Sequence, residues 1–162
     1  MKTLVLWGLY ILRIVIGSDH AGFELKEHIK QFLENKNIEI KDVGAYTPDR
    51  VDYPDIAVKV ARAVSTKDCD KGIIICGTGI GVSIAANKIK GIRAALCLDA
   101  YCAQMAREHN DANIVTLGAR VIGNGQAEMI VETFLNTAFA EGRHTDRVEK
   151  IMNIENIDDS KY

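Results

Sequence analysis

The sequence predicts an α/β fold in which helices cover both faces of a parallel sheet. Short β-branched runs alternate with longer amphipathic stretches from residue 12 onward, and no internal repeat or low-complexity segment interrupts them. One run, residues 72–76, is apolar on both faces, which is typical of a buried parallel strand. Alternation of strands and helices at this spacing indicates a parallel sheet whose connections are right-handed crossovers.

The first half of the chain supplies two strands and two helices. Residues 12–16 and 38–43 are short β-branched runs, so we expect strands there. Residues 22–34 place their large apolar side chains on one side, which predicts an amphipathic helix. Both prolines fall within residues 44–54, which we expect to form a loop. Apolar residues at i, i+4 spacing across 55–65 predict the second helix.

The second half continues the alternation after the buried strand at 72–76. A glycine-rich turn follows that strand, and we expect a helix through residues 84–88. The apolar runs at 92–98 and 112–117 predict the fourth and fifth strands. The remaining helices are expected over residues 101–108, 126–140 and 145–157, of which the last is more polar.

Composition excludes several classes of protein. The chain has 162 residues, 48% of them hydrophobic and 26% charged, as expected for one ordinary globular domain. Its formal net charge of −2 gives no general attraction to nucleic acid or to an anionic membrane, so we expect neither partner. The four cysteines form no CxxC pair and no cluster with zinc spacing. We therefore expect free thiols, a cytoplasmic location and no zinc site. We also expect no cofactor.

The N-terminus departs from this pattern. Residues 1–11 are largely apolar after Lys2, but they contain no small-residue cleavage site and are too short to span a bilayer. We interpret residues 1–11 as an extension and residues 12–162 as a single domain. One hypothesis is that Leu12 is the true initiator, encoded by a UUG codon, which N-terminal sequencing of the native protein would test.

The clearest candidate site follows the strand at 72–76, where the sequence is Cys-Gly-Thr-Gly-Ile-Gly. Gly77, Gly79 and Gly81 let the backbone approach a ligand closely, so that several amide hydrogens can point at one oxyanion. A thiol at a helix N-terminus forms a thiolate more readily than an ordinary one, which makes Cys76 the best candidate base among the cysteines. The alternative is a tight strand-to-helix turn around a buried structural cysteine.

Three familiar motifs are absent from this turn. A dinucleotide-binding fingerprint requires glycine at position 82 and a cysteine phosphatase requires arginine there, but the residue is Val82. A P-loop requires a Gly-Lys-Ser/Thr ending, which the turn lacks. The turn therefore predicts an anion cradle of another kind.

Two further polar pairs are candidate binding residues. Asp19 and His20 follow the first strand, where they can transfer a proton or hold a polar ligand; alternatively Asp19 caps the next helix and His20 lies at the surface. Arg143 and Arg147 are four residues apart, so on a helix they share a face that suits bidentate phosphate binding. Their alternative role is in surface ion pairs.

A polar cluster also precedes the fifth strand. His109, Asn110 and Asp111 are candidate site residues because they adjoin a strand and histidine is uncommon in this chain. For the neighbouring Arg107 and Glu108 we expect solvated surface positions.

Taken together, these segments resemble the B type of ribose-5-phosphate isomerase, in the sugar-phosphate isomerase family that also includes galactose-6-phosphate isomerase. Each stretch alone is a weak signal, but all of them occur in order across residues 13–155. The matching stretches are residues 17–22, 52–54, 76–88, 91–95, 108–113, 117–123 and 142–144 with 147–148.

The resemblance implies a Rossmann-like three-layer α/β/α fold with a five-stranded parallel sheet. It also implies metal-free interconversion of ribose 5-phosphate and ribulose 5-phosphate through a cis-enediolate. Some family members use a cysteine base and others a glutamate four residues later; this chain has Cys76 and Ile80, which places it with the cysteine type.

The resemblance also assigns roles to the other candidates. Thr78 would hold the substrate near Cys76, while Asp19 and His109 would open the furanose ring. His109 and Arg120 would reach a neighbour's site, which implies a homodimer with shared active sites and leaves a tetramer open. The residues implied to stabilise the enediolate, line the sugar pocket or bind phosphate are Gly77, Gly79, Gly81, His20, Tyr53, Asn110, Arg120, Arg143 and Arg147.

Other functions stay open at this point. Galactose 6-phosphate is the close alternative substrate, and the His-Asn-Asp and Gly-Arg-His-x-x-Arg patterns favour a five-carbon sugar over it. Allose 6-phosphate, a second six-carbon substrate, stays open because the sequence does not give the depth of the pocket. A non-catalytic Rossmann-like binding module would explain the fold and the glycine turn. A thiol redox enzyme or phosphatase would use Cys76, but the absent CxxC motif and the absent arginine count against both.

Overall fold

The structure, a computed structural model, describes residues 11–157. Within this range five strands form one sheet in the order β2-β1-β3-β5-β4, and every adjacent pair is parallel. The predicted five-stranded parallel sheet is therefore confirmed. The strands are β1 (Arg13–Ser18), β2 (Glu39–Asp42), β3 (Lys71–Cys76), β4 (Ala94–Leu96) and β5 (Ile114–Gly118).

Helices cover both faces of the sheet, which confirms the three-layer α/β/α architecture. The described helices are α1 (Phe23–Glu34), α2 (Tyr53–Ser65), α3 (Ile80–Ala86), α4 (Ala100–Asn110), α5 (Asn124–Asn136) and α6 (Arg143–Asn153), with short 3₁₀ turns at His20–Gly22 and Ile154–Asn156. Helices α1, α4 and α5 pack on one face, around Ile16, Val115 and Phe134. Helices α2 and α3 pack on the other, around Val15 and Ile74. Side chains alternate between these cores along each strand because successive residues point to opposite faces.

Two predicted helices are displaced. The helix expected at 84–88 begins at Ile80, because Gly79 adopts a left-handed conformation (φ +77°) that ends the turn earlier than the pattern indicated. As a result Gly81 lies in the first turn of α3 rather than in a loop. The helix expected to reach residue 140 ends at Asn136, because Thr137 is extended (φ −91°, ψ 126°).

The outer strand β4 is shorter than the run predicted at 92–98. The side chain of Asn87 occupies the place of a further strand beside it: Asn87 Oδ1 accepts from the Ala94 amide at 2.8 Å, and Asn87 Nδ2 donates to the Ala94 carbonyl at 2.9 Å. This contact anchors the end of α3 to the sheet and satisfies backbone groups at the open edge.

A buried ion pair supports the end of β1 through the neighbouring loop. Lys26 of α1 is fully buried and contacts Asp42 at 2.7 Å. Asp42 Oδ1 accepts from the Gly44 amide at 2.9 Å, and the Gly44 carbonyl accepts from the Ser18 amide at 2.7 Å. Burial acts to raise the pKa of Asp42, but hydrogen bonds from Lys26, Lys30 and the Gly44 amide outweigh it and hold that pKa below 3.8.

The predicted N-terminal extension, residues 1–11, lies outside the described residues except for Ile11. Its assignment, and the proposed start at Leu12, stay predictions. None of the helices within residues 11–157 is long and apolar enough to cross a membrane.

Candidate active site

The predicted site residues fall into two groups at opposite ends of the strands, which we call the carboxyl edge and the amino edge. The carboxyl-edge group lies where the strands end and comprises Asp19, His20, Tyr53, Cys76, Gly77, Thr78, Gly79, Gly81 and Arg120. The amino-edge group lies where β5 begins and comprises His109, Asn110, Arg143 and Arg147. Because β5 has five residues and a strand rises about 3.3 Å per residue, the groups are roughly 15–20 Å apart.

The Cys76 side chain is buried at the end of β3 and points back into the turn that follows it. Its sulfur accepts a hydrogen bond from the Gly79 amide at 3.1 Å. The Thr78 hydroxyl accepts from the Ile80 amide at 3.3 Å. The hydrogen bond from the Gly79 amide holds the sulfur at a fixed place in the turn, as a positioned base requires.

The same turn presents backbone donors that no other group occupies. The amides of Gly77, Thr78, Gly81 and Val82 donate no hydrogen bond to any group within residues 11–157. Orphan amides are expected in the first turn of a helix, and here they belong to the residues that follow Cys76 in the turn and in the start of α3. The arrangement can therefore stabilise an oxyanion that forms beside Cys76.

Close packing against β5 holds this turn in place. A Cβ atom on Gly118 would lie 2.6 Å from the Thr78 carbonyl oxygen, so no larger residue fits there without a backbone shift. The buried Thr116 hydroxyl donates to the Gly79 carbonyl at 2.9 Å. Sequence reasoning assigned no role to Gly118 or Thr116, because both contacts join segments that are distant in the chain.

Asp19 has the capping role that was one of the two interpretations from the sequence, and its role toward a ligand stays a prediction. It is buried, and its Oδ1 accepts from the Gly22 amide at 3.0 Å, so it caps the short 3₁₀ turn. Its Oδ2 has no hydrogen-bond partner within residues 11–157, which leaves one carboxylate oxygen available to a ligand. His20 is exposed, with its Nδ1 3.4 Å from the Val51 carbonyl oxygen.

Tyr53 and Arg120 border the Cys76 turn from two sides. The Tyr53 ring lies against Gly81, where a Cβ atom would approach it to 2.8 Å. The Arg120 amide donates to the Gly77 carbonyl at 3.0 Å, and its exposed side chain passes over Gly77. Arg120 thus lies beside the turn of its own chain, and glycine at position 81 leaves room for the Tyr53 ring.

At the amino edge, Arg107 is buried, and the prediction of a solvated position for it is wrong. Its guanidinium donates to Asp111 Oδ1 at 2.8 Å and to the Thr137 carbonyl at 3.2 Å, and it lies over the Phe134 ring. These bonds fix the end of α4. Burial, and to a smaller extent the nearby Arg107, lower the pKa of Lys71 to about 8.

His109 stacks on His144, which comes from the first turn of α6. The ring centroids are 4.2 Å apart and the planes differ by 9°. His144 is buried, and burial, followed by the charges of His109, Arg143 and Arg147, lowers its pKa below 6.5. Sequence reasoning gave His144 no role, although it stands inside the Gly-Arg-His-x-x-Arg pattern.

Arg143 and Arg147 both lie on α6, which begins two residues before the helix predicted at 145–157, and both are exposed. Their side chains, and that of Asn110, form no hydrogen bond or ion pair with residues 11–157. The surface-ion-pair alternative for the two arginines is therefore not observed in this part of the chain. Two unpaired guanidinium groups beside His109 form a surface suited to phosphate.

The described residues contain no three His, Cys, Asp or Glu side chains grouped closely enough to hold a metal ion.

Around the carboxyl edge, several large apolar side chains are exposed rather than packed. They follow β3, β4 and β5 in the chain, and exposed apolar patches often mark protein–protein contacts. They are Ile80, Ile84, Leu98, Tyr101 and Val121.

Comparison with known proteins places this geometry among related chains. The family model described as Ribose/Galactose Isomerase matches residues 14–151. The ribose-5-phosphate isomerase B of Escherichia coli strain K12 is 48% identical, over 88% of this chain and 96% of that protein. The D-erythrulose-4-phosphate isomerase of Pectobacterium atrosepticum is 43% identical, over 87% of this chain and 93% of that protein. The structure of ribose-5-phosphate isomerase B from Clostridium thermocellum superposes with a TM-score of 0.88 at 54% identity, covering 90% of this chain and 98% of that one.

Proposed function

The chain belongs to the Ribose/Galactose Isomerase family, and on that premise we propose that it interconverts D-ribose 5-phosphate and D-ribulose 5-phosphate. Membership confirms the enzyme class expected from the sequence, an isomerase. The observation that carries the proposal is the Cys76 turn, in which an amide hydrogen bond to sulfur adjoins four unoccupied amides. A base and an oxyanion cradle are the two aids that proton removal beside a carbonyl requires.

The proposed reaction moves one proton between neighbouring carbons. The Cys76 thiolate removes the proton from C2 of the open-chain aldose. The C–H electron pair forms the C1–C2 double bond, and the carbonyl π pair moves to O1, which gives a cis-enediolate. A proton then passes from O2 to O1, and the Cys76 thiol returns its proton to C1, which leaves the ketose carbonyl at C2. Amides of Gly77, Thr78 and Gly81 stabilise the negative oxygens.

The phosphate would bind at the amino edge of a second copy of the chain. The distance of roughly 15–20 Å between the groups exceeds the length of a pentose phosphate, so one chain cannot supply both. In a two-fold dimer each carboxyl edge can face the partner's amino edge, and both sites are then completed at once. The exposed apolar residues around the Cys76 turn are the surface that such a partner would cover.

A homodimer of this kind assigns the remaining residues. Arg143 and Arg147 of one copy bind the phosphate dianion, while His109 and Asn110 reach the sugar bound at the other copy's Cys76. Asp19 and His109 then open the furanose ring from its two sides. We place the enzyme in the cytoplasm, where the free thiols of Cys69, Cys97 and Cys102 stay reduced.

One specific observation favours a second substrate. A relative named for D-erythrulose 4-phosphate is 43% identical over 87% of this chain, so a four-carbon substrate deserves direct comparison. Relative kcat/KM for the four-carbon phosphate, for ribose 5-phosphate, and for allose 6-phosphate and galactose 6-phosphate would rank them. We expect ribose 5-phosphate to rank first.

The test is conversion of ribose 5-phosphate to ribulose 5-phosphate by the purified full chain with a chelator present. We expect turnover by the wild type, and for Cys76→Ala a loss of about 10³-fold or more, because both the base and the bond to the Gly79 amide disappear. Cys69→Ala is the matched control, since Cys69 is equally buried but lies far from the turn.

Two results would contradict the proposal. Turnover by Cys76→Ala near the wild-type rate would refute the base assignment. Absence of turnover by folded wild type would refute the substrate, and the other sugar phosphates would then be assayed. If none reacts, a non-catalytic binding module becomes the better interpretation.

A further inference from the structure

We infer that His144 is a positioning residue, a buried imidazole whose face fixes the ring plane of His109 at the amino edge. The inference rests on the proposed function, in which His109 acts on the sugar. It begins from the stack itself, in which the centroids are 4.2 Å apart and the planes differ by only 9°. His109 is on the last turn of α4 and His144 on the first turn of α6, so the contact joins two helix ends.

The backbone around the stack holds both rings in register. The Ala140 amide donates to the Glu108 carbonyl at 3.1 Å, which ties the segment before α6 to the last turn of α4. The His144 amide donates to the Glu141 carbonyl at 3.1 Å and closes the turn that begins α6. Backbone hydrogen bonds next to the stack therefore hold the end of α4 and the start of α6, and so the two imidazole rings, in place.

His144 is buried, but one of its ring nitrogens lacks the hydrogen bond that a buried structural histidine normally forms. Its Nδ1 is fully buried and has no hydrogen-bond partner among residues 11–157. Buried polar atoms are nearly always paired, and an unpaired one is unfavourable. The ring is thus held for the surface it presents to His109 rather than for the bonds its nitrogens form.

Burial and the charges around His144 both act on the pKa of its ring. From α6, Arg143 and Arg147 act on it; from α4, His109 acts in the same direction and Glu108 in the opposite one. Burial is the largest influence, and together these lower the pKa of His144 below 6.5, so its ring is neutral at neutral pH. A neutral ring lets His109 take up or release a proton without a second cation against its face.

The experiment compares His144→Ala, which removes the stacking face, with His144→Phe, which keeps a flat ring that cannot titrate. For ribose 5-phosphate we expect His144→Ala to lower kcat about tenfold to a hundredfold with KM within about threefold, because His109 loses its orientation while the arginines remain. His144→Phe should restore kcat to within about threefold of wild type. On a His109→Asn background, His144→Ala should have little further effect, since the two act as a unit.

Three outcomes would overturn the inference. His144→Ala could keep the wild-type kcat, or raise KM with kcat unchanged, which would indicate only a disturbed α6. The third is that His144→Phe restores no more activity than His144→Ala.

An NMR measurement on the free protein decides the matter even if ribose 5-phosphate is not the substrate. The chain has four histidines, so the His109 Cε1 proton can be assigned by single substitutions. In wild type and His144→Phe it should show the upfield ring-current shift of a stacked ring, and in His144→Ala it should move downfield. An unchanged His109 signal in a folded His144→Ala protein would refute the contact. Loss of the shift in His144→Phe would refute the role of the flat ring should the alanine variant not fold.

Discussion

The two edges of the sheet hold their functional residues by different means. At the carboxyl edge, β5 holds the Cys76 turn in place. The Thr78 carbonyl packs closely against Gly118, and the Thr116 hydroxyl donates a hydrogen bond to the Gly79 carbonyl. At the amino edge, Arg143 and Arg147 extend into solvent from one face of α6. A group that must meet a single carbon atom needs rigid support, whereas groups that receive a mobile dianion can be long and adaptable. Packing within the chain therefore holds the carboxyl edge, whereas exposed side chains form the amino edge.

The first prediction, which has the largest expected effect, tests whether each active site is built from one chain or from two. Cys76→Ala disables the carboxyl edge and the Arg143→Ala/Arg147→Ala double variant disables the amino edge. In a randomly mixed dimer half of the molecules are hybrids, and each hybrid keeps one intact site, so we expect about a quarter of wild-type activity. Unfolding and refolding the two proteins together, followed by the isomerase assay, measures it.

The control for this mixture places both defects at the same edge. Cys76→Ala mixed with Asp19→Ala should stay inactive, because every site in the hybrid has a damaged carboxyl edge. Recovery of activity in that mixture, or no recovery in the first mixture, would contradict the proposal that each site combines the carboxyl edge of one chain with the amino edge of another.

The second prediction concerns the arginines singly. Arg143→Ala and Arg147→Ala should each lower kcat/KM about tenfold to a hundredfold, mostly through KM, because each removes a charge-assisted hydrogen bond to phosphate. Stability should not change, since both side chains are exposed. Steady-state kinetics and thermal unfolding test this, with exposed Arg62→Ala as the matched control. A lower kcat at constant KM would instead assign the arginines to the chemical step.

The third prediction tests the rigidity of the carboxyl edge. Gly118→Ala places a Cβ 2.6 Å from the Thr78 carbonyl oxygen, so the Cys76 turn must shift. We expect kcat to fall about tenfold and the free energy of unfolding to fall by about 1–3 kcal/mol. Gly123→Ala is the matched control, because its Cβ meets nothing within 4 Å. Equal activities of the two variants would mean that the turn adapts.

The smallest effect on activity, but a clear one on stability, is expected for Asp42→Asn. It leaves buried Lys26 with a weaker partner and should lower the free energy of unfolding by about 1–3 kcal/mol at pH 7. Because folding holds the pKa of Asp42 below 3.8, the stability due to its charge is present above that pH and is lost as the pH falls through the lowered value. Urea unfolding at pH 7 and pH 3 should show the difference between wild type and variant shrinking in acid.

Asp68→Asn is the control for Asp42→Asn. Asp68 pairs with Lys41 at 2.6 Å, but both side chains are about half exposed, so we expect no measurable change. A loss at Asp68 as large as that at Asp42 would contradict the assignment of stability to burial.

The sequence could predict the strands and the Cys76 turn because local pattern determines them. The Ile73–Ile75 run is apolar on both faces, and Gly77 and Gly79 mark a turn whatever surrounds it. The start of α3 could not be placed, because it depends on the left-handed conformation of Gly79 against β5.

The burial of Arg107 and the stacking of His144 on His109 could not be predicted from the sequence either. Arg107 is charged and stands beside polar residues, so its sequence neighbourhood indicates solvent, but Asp111 and the Thr137 carbonyl satisfy it inside the protein. The stack joins residues of α4 and α6, and no local periodicity relates them. Contacts between distant segments decide such positions, and a pattern read along the chain does not contain them.

The pairing of Asn87 with Ala94 limits how copies of this protein can associate. An open strand edge invites another strand to add to it, which leads to fused sheets or to aggregation. Here a side-chain amide occupies the donor and acceptor of Ala94 at one outer edge, and exposed Glu39 and Lys41 place charges on the other. Growth of the sheet from molecule to molecule is therefore disfavoured, and two copies must meet through side chains, each keeping its own five-stranded sheet.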